Sequence, residues 1–513
     1  MQALLGIDVG TSGVKVVLFD EAGQPLAGAL RDYPLYQPAP GFTEQQPEEW
    51  WAATVAAIRH VMAASGVRPE DVAAVGFSGQ MHGLVLLDGQ GQVIRPAILW
   101  NDQRTKAQAD WIAAHVGVER SIAWTANPPL PNFTATKLLW VREHEPDHYQ
   151  RIAHVLLPKD YIRFRLTGEL ACDVSDASGT LFFDVAARRW SDEMLQALGV
   201  PAAWLPPVHE SHEVVGRVSP EAAAATGLAT STLVVAGAGD QAAGAVGNGI
   251  VEPGAVSATI GTSGVVFAFT DTILKDPLGR LHTFCHAVPG AWHVMGVTQA
   301  AGGSMQWLRN QLGQLETAAA GLLGIDAYEL LTQEAAQAPA GSEGLLFLPY
   351  LNGERTPHLN PAAKGVFFGL TSRHQRAHLI RSVMEGVAYS LQDCLALIEG
   401  LGIPVGEIRA SGGGARSPLW RSILANVFGR AVTTIHANEG PAFGAALLAG
   451  VGAGIYPSVQ EACRRFVRTV GAVEPDPQAV AVYAAYGEIY RSLYQALQGE
   501  FRKVDDLVRR FHG

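Results

Sequence analysis

Cysteine and charge are both scarce in this 513-residue sequence. The four cysteines are scattered and no C-x-x-C pair occurs, which favours reduced thiols in a cytosolic protein; they are Cys172, Cys285, Cys394 and Cys463. Charged residues make up 17% of the chain and the formal net charge is −11. A basic surface for non-specific nucleic-acid binding is therefore not expected, although a local phosphate site remains possible.

Long apolar runs are also missing. No stretch is apolar for long enough to cross a bilayer, and no basic region followed by an apolar one opens the chain. Asp8 interrupts the only early apolar run. We therefore expect a soluble cytoplasmic protein that binds neither membranes nor nucleic acid.

One short motif is present twice. Gly-Thr-Ser-Gly occurs within GIDVGTSGVKVVLF at 6–19 and within SATIGTSGVVFAF at 257–269. Apolar runs flank both copies, which predicts strand–turn–strand structure in each. The charges differ, because Asp8 aligns with Thr259 and Lys15 aligns with Val266. A repeat spaced by about half the chain predicts two related domains, with a boundary near Gly247–Gly254.

The order of predicted elements gives the fold class. After the first repeat come a third strand, a helix from Pro47 and the buried strand VAAVGFSGQ, which predicts a mixed sheet packed by helices. In the second half, a long amphipathic helix from Ala377 precedes a strand, a glycine turn and a helix in EIRASGGGARSPLW. The closing segment VAVYAAYGEIYRSLYQALQGEF predicts a helix that packs on the core.

The glycine turns are candidate phosphate sites. Neither G-x-x-x-x-G-K-[ST] nor G-x-G-x-x-G occurs, so P-loop and Rossmann binding are not supported. One Gly-Thr-Ser-Gly turn would be an ordinary hairpin, but two copies plus SGGGARS (Ser411–Ser417) can enclose a polyphosphate with backbone amides. Asp8, at the end of an apolar strand, needs a partner such as Mg²⁺ held through water. Lys15 either neutralises phosphate or is a solvated strand residue.

These turns together resemble the two phosphate motifs and the adenosine motif of the actin-like ATPase superfamily. Within it, the chain is similar over nearly its whole length to the FGGY carbohydrate kinases, through FTATKLLWVREHEP at 133–146 and KGVFFGLTSRHQRAHLIRSVMEGVAYSL at 364–391. The resemblance implies an α/β fold of two duplicated actin-like ATPase (ribonuclease H-like) domains, with mixed sheets flanked by helices and a cleft between them. Residues 1–247 would bind sugar and carry the first phosphate loop, and residues 248–513 would bind ATP and end in a helical segment.

The same resemblance implies ATP and Mg²⁺ as cofactors, with Asp8 positioning Mg-ATP through water. Asp240 would accept the proton of the sugar hydroxyl, although the residue pattern alone also permits a helix N-cap there. The ATP-binding residues would be Thr11, Ser12, Lys15, Gly261, Thr262, Ser263, Gly413, Gly414 and Ser417.

The loops expected to face the substrate are similar to those of family members that phosphorylate the 5-hydroxyl of D-xylulose. They are SGQMHGLVLLD, RPAILWNDQR, LLPKDYIRFRLTGE, SDASGT and LPYLNGERTPH. Met81, His82, Asp240 and Gln241 would contact the ketose, because His82 can hydrogen-bond hydroxyls and Met81 offers an apolar surface. Some relatives have asparagine where Gln241 stands, so another pentulose, gluconate or glycerol stays open as the acceptor.

Other interpretations compete with a sugar kinase. An actin-like chaperone or filament ATPase would use nucleotide without sugar chemistry, and a degenerate relative would bind sugar without turnover. The histidines and cysteine of LHTFCHAVPGAWH (281–293) fit no standard zinc spacing, so we expect them to pack between strands. Trp307 either flanks the adenine or, more in keeping with a tryptophan on a helix, lies in the core. Symmetry favours a homodimer.

Overall fold

A computed structural model describes residues 2–436 and 440–512, which divide into two compact units. The first unit runs to Glu252 and also includes Phe269–His293 and residues 440–468. The second unit comprises Pro253–Ala268, Val294–His436 and the chain from Thr469. Two segments from beyond residue 252 therefore return to the first unit.

Strands form the centre of both units. They are β1 (Ala3–Val9), β2 (Gly13–Asp20), β3 (Pro25–Asp32), β4 (Glu44–Gln45), β5 (Val72–Gly79), β6 (Val85–Leu87), β7 (Ala97–Ile98), β8 (His154–Leu156), β9 (Cys172–Asp173), β10 (Phe183–Asp184), β11 (Arg189–Trp190), β12 (Val208–His209), β13 (Val214–Arg217), β14 (Leu233–Val235), β15 (Ala238–Gly239), β16 (Gly254–Ile260), β17 (Gly264–Thr270), β18 (His282–Cys285), β19 (Trp292–Thr298), β20 (Leu346–Leu348), β21 (Val366–Phe368), β22 (Val405–Ser411), β23 (Val432–Ile435) and β24 (Thr469–Val473).

Helices pack around these strands. They are α1 (Pro47–Ser65), α2 (Lys106–His115), α3 (Val118–Thr125), α4 (Thr134–His144), α5 (Pro146–Gln150), α6 (Pro158–Thr167), α7 (Val174–Ala177), α8 (Asp192–Leu198), α9 (Pro220–Thr226), α10 (Asp240–Gly247), α11 (Gly302–Leu312), α12 (Gln314–Leu323), α13 (Ala327–Ala335), α14 (Arg376–Gly400), α15 (Pro418–Phe428), α16 (Gly440–Gly452), α17 (Val459–Phe466) and α18 (Pro477–His512). None of them, within the described residues, is long and apolar enough for a membrane span.

The central sheet of the first unit has the strand order β13-β14-β5-β1-β2-β3, with β15 also paired to β5. β1 runs antiparallel to β2 and parallel to β5, which makes the sheet mixed. The predicted order of three strands, a helix from Pro47 and a buried strand is confirmed. The apolar residues of β1 and β5 pack in one core with those of α1, because the strands are apolar along nearly their whole length.

Helix α16 lies directly on this sheet because small residues let the backbones touch. A methyl group added at Gly6 of β1 would lie 1.9 Å from the carbonyl oxygen of Ala442. Likewise, a methyl group at Gly444 would lie 1.8 Å from the carbonyl oxygen of Ala243 in α10. Neither glycine can be replaced without moving a helix, so α10 and α16 are fixed to each other and to β1.

The sheet of the second unit repeats this topology, with the order β19-β17-β16-β22-β23-β24. β16 is antiparallel to β17 and parallel to β22, as β1 is to β2 and β5. The predicted fold class, α/β with duplicated mixed sheets flanked by helices, is therefore confirmed. The predicted helix from Ala377 begins at Arg376, and the closing helix runs from Pro477 to His512.

Candidate functional site

In the first unit, three parallel strands end side by side. Asp8 of β1 lies opposite Ser78 of β5, and Ser78 lies opposite Ala238 of β15. Asp240 follows two residues beyond Ala238, as the first residue of α10. Ligands of open α/β sheets bind outside the carboxyl ends of the strands, and this edge carries the two carboxylates that the sequence singled out.

The carboxylates of Asp8 and Asp240 influence each other. Ser78 Oγ donates a hydrogen bond of 2.9 Å to Asp8 Oδ1. Burial raises the pKa of Asp8, although the Ser78 hydrogen bond and the charge of Lys15 act to lower it. Burial, together with the negative charge of Asp8, raises the pKa of Asp240 to about 7, while both residues keep some solvent exposure. A carboxyl with a pKa near neutrality is suited to accept a proton.

Asp240 is not the N-cap residue that its sequence also permitted. Gly239 occupies the N-cap position of α10, and Asp240 is the first helical residue. Its Oδ1 accepts a hydrogen bond of 3.3 Å from Gln241 Nε2. The neighbouring amide thus orients the carboxylate, and the contact of Gln241 with the sugar stays a prediction.

Lys15 lies directly opposite Asp8 on the adjacent strand β2. Its positive charge is close enough to act on the pKa of Asp8, and its side chain is only partly exposed. The sequence left two interpretations of Lys15. This position favours a lysine that acts at the sheet edge carrying Asp8 and Asp240, here called the carboxylate edge, over an ordinary surface lysine.

The turn between β1 and β2 is held by side chains that the sequence analysis missed. Thr11 Oγ1 donates to Gln80 Oε1 at 3.1 Å and accepts from Trp100 Nε1 at 2.9 Å. Gln45 Nε2 donates to the carbonyl oxygen of Thr11 at 2.7 Å, and the Tyr33 hydroxyl donates to the carbonyl of the residue before Thr11. The Thr11 hydroxyl therefore fixes the turn, whereas Ser12 is exposed.

Met81 lies against the residue before Asp240. A methyl group added at Gly239 would lie 2.9 Å from the sulfur of Met81. His82 has a φ of 66° and its Nδ1 is 2.6 Å from the carbonyl oxygen of Gly179. The ring also makes edge contacts with Phe133 and Phe284. The structure thus brings Met81 close to Asp240 and Gln241, whereas the contacts of His82 are with Gly179, Phe133 and Phe284.

In the second unit, the repeated turn and the SGGGARS turn meet. A methyl group at Gly412, whose φ is 81°, would lie 2.5 Å from the carbonyl oxygen of Ile260 and 3.2 Å from the nitrogen of Gly261. Thr262 is exposed and Ser263 partly so. The two predicted phosphate and adenosine turns of this unit therefore form one continuous backbone surface, which includes Gly413 and Gly414.

The identical Gly-Thr-Ser-Gly cores close differently. In the first, the Gly10 amide donates to the carbonyl of Gly13, and in the second the Gly261 amide donates to the carbonyl of Ser263. As a result Thr259 lies opposite Val265, not opposite Val266, the residue that aligns with Lys15 in sequence.

Ser417, at the end of the SGGGARS turn, caps a helix. Its side chain caps α15 by accepting from the amide of Trp420 at 3.2 Å.

Of the remaining candidates, the histidines and the cysteine of residues 281–293 pack in the protein interior, and Trp307 is partly buried. His282, Cys285, His286 and His293 are buried, and burial lowers the pKa of His286 to about 3. Trp307 lies nearly parallel to Phe347, with 6.4 Å between ring centroids. Packing between strands, which the sequence favoured over zinc for the histidines, agrees with these contacts.

The carboxylate edge fits a metal held largely by water and phosphate. Within residues 2–436 and 440–512, no three His, Cys, Asp or Glu side chains are grouped so as to hold a metal ion. Mg²⁺ keeps several waters and uses one or two carboxylates together with substrate phosphates. Asp8, partly exposed and close enough to Asp240 to raise its pKa, suits such an ion.

Comparison with known proteins gives matches to both halves of the chain. Residues 3–247 match the N-terminal domain of the FGGY family of carbohydrate kinases, and residues 256–453 match the C-terminal domain. The chain is 44% identical over 494 residues to the xylulose kinase of Escherichia coli, covering 96% of this chain and 99% of that protein. It is 39% identical to the xylulose kinase of Bacillus subtilis, covering 96% and 97%. A solved xyloylose kinase from Brucella ovis superposes with a TM-score of 0.89 at 37% identity, covering 97% and 100%.

Proposed function

Because the chain belongs to the FGGY family of carbohydrate kinases, we propose that it transfers the γ-phosphoryl group of ATP to the 5-hydroxyl of D-xylulose. The products are D-xylulose 5-phosphate and ADP. The observation that carries this assignment is the position of Asp240, whose pKa is raised to about 7, close to the charge of Asp8 and with Met81 against the preceding Gly239. The similarity to xylulose kinases over nearly the full chain supports the ketose as the acceptor.

In this proposal Asp240 is the general base. It takes the proton of the sugar hydroxyl as that oxygen bonds to the γ-phosphorus and the bond from phosphorus to the ADP oxygen breaks. Gln241 holds the carboxylate and His82 hydrogen-bonds a sugar hydroxyl, while Met81 covers the sugar carbons. Since phosphoryl transfer depends mainly on positioning and charge stabilisation, these contacts supply most of what the acceptor needs.

The phosphates of ATP are assigned to the glycine turns. We propose that Gly261, Thr262, Ser263, Gly413 and Gly414 bind the nucleotide and that Ser12 and Lys15 contact its terminal phosphates. Thr11 and Ser417 act through the backbones that they fix, because their hydroxyls already make hydrogen bonds within the protein. Residues 1–247 would then form the sugar-binding domain and 248–513 the nucleotide-binding domain, a division that the family matches support.

Mg²⁺ is the cation that we propose for the carboxylate edge. Asp8 would hold it through water, and the ion would neutralise phosphate charge when bound. The partial exposure of the Asp8 carboxylate at the end of β1 supports this assignment.

The experiment that tests the function is the isosteric change Asp240→Asn. ADP production that depends on D-xylulose should fall by about 10²–10⁴-fold, because the base is lost while the shape of the site is kept. ATP binding, measured by calorimetry, should be unchanged. Asp393→Asn is a matched control, because burial also raises the pKa of Asp393 to about 7 but this residue lies within α14.

A panel of acceptors separates the alternatives. D-xylulose, L-ribulose, gluconate and glycerol are compared at equal ATP, and a preference for gluconate or glycerol would refute the ketose while keeping the family. ADP production that needs no sugar would instead favour a chaperone or filament ATPase. Normal turnover by Asp240→Asn would remove Asp240 as the base.

We also propose that the protein is a cytoplasmic homodimer. All four cysteines are buried free thiols, which supports a reducing compartment. Two-fold dimers are the commonest closed assemblies of soluble proteins, which supports the dimer on symmetry alone. Light scattering on the purified protein measures its mass directly.

A further inference from the structure

A cluster of charged side chains lies fully buried in the first unit, beneath the carboxylate edge. Lys159 Nζ is 2.6 Å from Asp160, 2.8 Å from Asp173 and 3.1 Å from Asp176, and Arg163 is 3.0 Å from Asp160. None of these side chains has any exposed area. We call these residues the Lys159 cluster.

The Lys159 cluster is costly to bury unless its charges balance. Burial raises the pKa of the Asp176 carboxyl well above its ordinary range. Burial acts to lower the pKa of Lys159, but the three aspartates outweigh it and hold that pKa well above its ordinary value. Two basic side chains, Lys159 and Arg163, therefore lie among three aspartates. Replacing such buried ion pairs with apolar residues is often neutral or stabilising, so stability alone does not explain the cluster.

One chain of hydrogen bonds leads from the cluster to Asp240. Asp173 Oδ2 accepts from the amide of Ser175 at 2.8 Å and from its hydroxyl at 2.5 Å. With its proton directed at Asp173, Ser175 Oγ accepts from the amide of Gly239 at 3.1 Å. Gly239 immediately precedes Asp240 and is the N-cap residue of α10.

The opposite end of the same short segment is also tied to the cluster. Arg163 donates to the carbonyl oxygen of Ala236, three residues before Gly239. Between these anchors Gly237 has a φ of 82°, and a methyl group there would lie 2.5 Å from the carbonyl oxygen of Phe77. The backbone that leads to Asp240 is therefore held at one end by the buried Arg163 side chain and at the other by the buried Ser175 hydroxyl.

We propose that Ser175 is a positioning residue for phosphoryl transfer, which fixes the Gly239 amide and so aims the Asp240 carboxylate at the sugar hydroxyl. The Lys159 cluster holds Ser175 in place through Asp173. This inference rests on the proposed function for its catalytic consequence. It explains why a charged cluster is buried where an apolar core would be as stable.

Ser175→Ala tests the proposal against a matched control. Ser191 lies elsewhere in the first unit and is also buried; its Oγ donates to Glu193 Oε2 at 3.3 Å and accepts from the amide of Met194 at 3.2 Å. Ser191→Ala therefore loses a hydrogen bond to a carboxylate and one from a backbone amide, as Ser175→Ala does, but its partners do not lead to Asp240. The two variants should lose similar thermal stability.

The expected results differ in turnover. Ser175→Ala should lower kcat with D-xylulose by about 10–10²-fold, since small displacements of a reacting group cost this much, with KM for ATP unchanged. Ser191→Ala should keep kcat within about threefold, a range within the usual scatter of peripheral changes. In hydrogen exchange of the sugar-free protein, the peptide containing Gly239 should exchange faster in Ser175→Ala alone.

Each other outcome overturns the proposal. Equal kcat in the two variants, unchanged exchange at Gly239, or failure of Ser175→Ala to fold when Ser191→Ala folds would assign Ser175 a structural role only. If the wild-type protein ignores D-xylulose, the proposed function fails instead. The exchange comparison needs no sugar, so it still decides whether Ser175 holds Gly239.

Discussion

The two sheets of this protein place different side chains at one equivalent position. In the first unit Asp8 accepts a hydrogen bond from Ser78 at 2.9 Å, and in the second Thr259 and Ser411 are hydrogen-bonded at 2.8 Å. Strand pairing puts each serine directly opposite its partner. The frame around the position is kept while the group changes from a carboxylate to a hydroxyl.

The difference assigns different tasks to the two halves. Asp8 faces Lys15 and raises the pKa of Asp240, so its charge acts on a titrating neighbour. Thr259 faces Val265, and its hydroxyl is used in the contact with Ser411. In the proposed function, the first sheet carries the charged groups that act in the reaction, and the second offers backbone amides and neutral hydroxyls to the nucleotide.

We expect Asp8→Thr to have the largest effect on turnover, because it places in β1 the residue that β16 has at the equivalent position. The hydroxyl can keep the contact with Ser78 but removes the charge proposed to position Mg-ATP. We expect kcat to fall by about 10²–10³-fold, as when one group that stabilises transition-state charge is removed. Steady-state kinetics at saturating Mg²⁺ measures this, and a loss below tenfold would contradict the role of Asp8.

The pH dependence of turnover tests whether the charge of Asp8 acts on the pKa of Asp240. Because Asp240 has a pKa of about 7 and must be deprotonated to accept a proton, kcat/KM for the sugar should fall about tenfold per pH unit below 7. Asp8→Asn removes one cause of the raised pKa, so the acidic limb of the residual activity should move to lower pH. A limb that stays fixed in this variant would show that the two carboxylates do not interact.

Lys15→Met tests the residue opposite Asp8. The variant removes a charge that lowers the pKa of Asp8, and removes a proposed phosphate contact. We expect kcat/KM for ATP to fall about tenfold, in keeping with the loss of one charge-assisted hydrogen bond. Val265→Met, at the position opposite Thr259, is the control and should leave kcat/KM for ATP nearly unchanged.

Thr259→Val should have the smallest effect. The variant loses the hydrogen bond with Ser411 and keeps its shape, so the free energy of unfolding should fall by about 1 kcal/mol. Turnover should change less than threefold, which is small beside the effect of Asp8→Thr. Urea unfolding and steady-state kinetics measure the two quantities, and a large loss of kcat would place chemistry at the second sheet as well.

Much of this frame follows from local patterns in the sequence. The repeat predicts two related domains, and the apolar runs near Asp8 and Gly79 predict strands of a mixed sheet. The sequence also pairs Lys15 with Val266, but the turns close one residue apart, so Val265 occupies that place. A closing hydrogen bond depends on backbone geometry that identical residues do not determine.

Contacts between distant parts of the chain could not be predicted from the sequence. Gln45, Gln80 and Trp100 hold one turn from separate parts of the chain, and no local period relates them. The only hint was the presence of polar and aromatic residues beside glycine-rich strand ends. The contacts of Lys159 with Asp173 and Asp176 also depend on tertiary packing. The spacing of residues within α6 accounts only for contacts inside that helix.

The close packing of α16 on β1 has a consequence for folding during synthesis. The sheet of the first unit starts at Ala3, yet the helix that covers it begins at Gly440. A ribosome has therefore synthesised most of the chain before this face of the sheet can be closed. Until then the face of the sheet around Gly6 is exposed. The nascent first half is therefore prone to aggregate until translation is complete, unless a chaperone binds it.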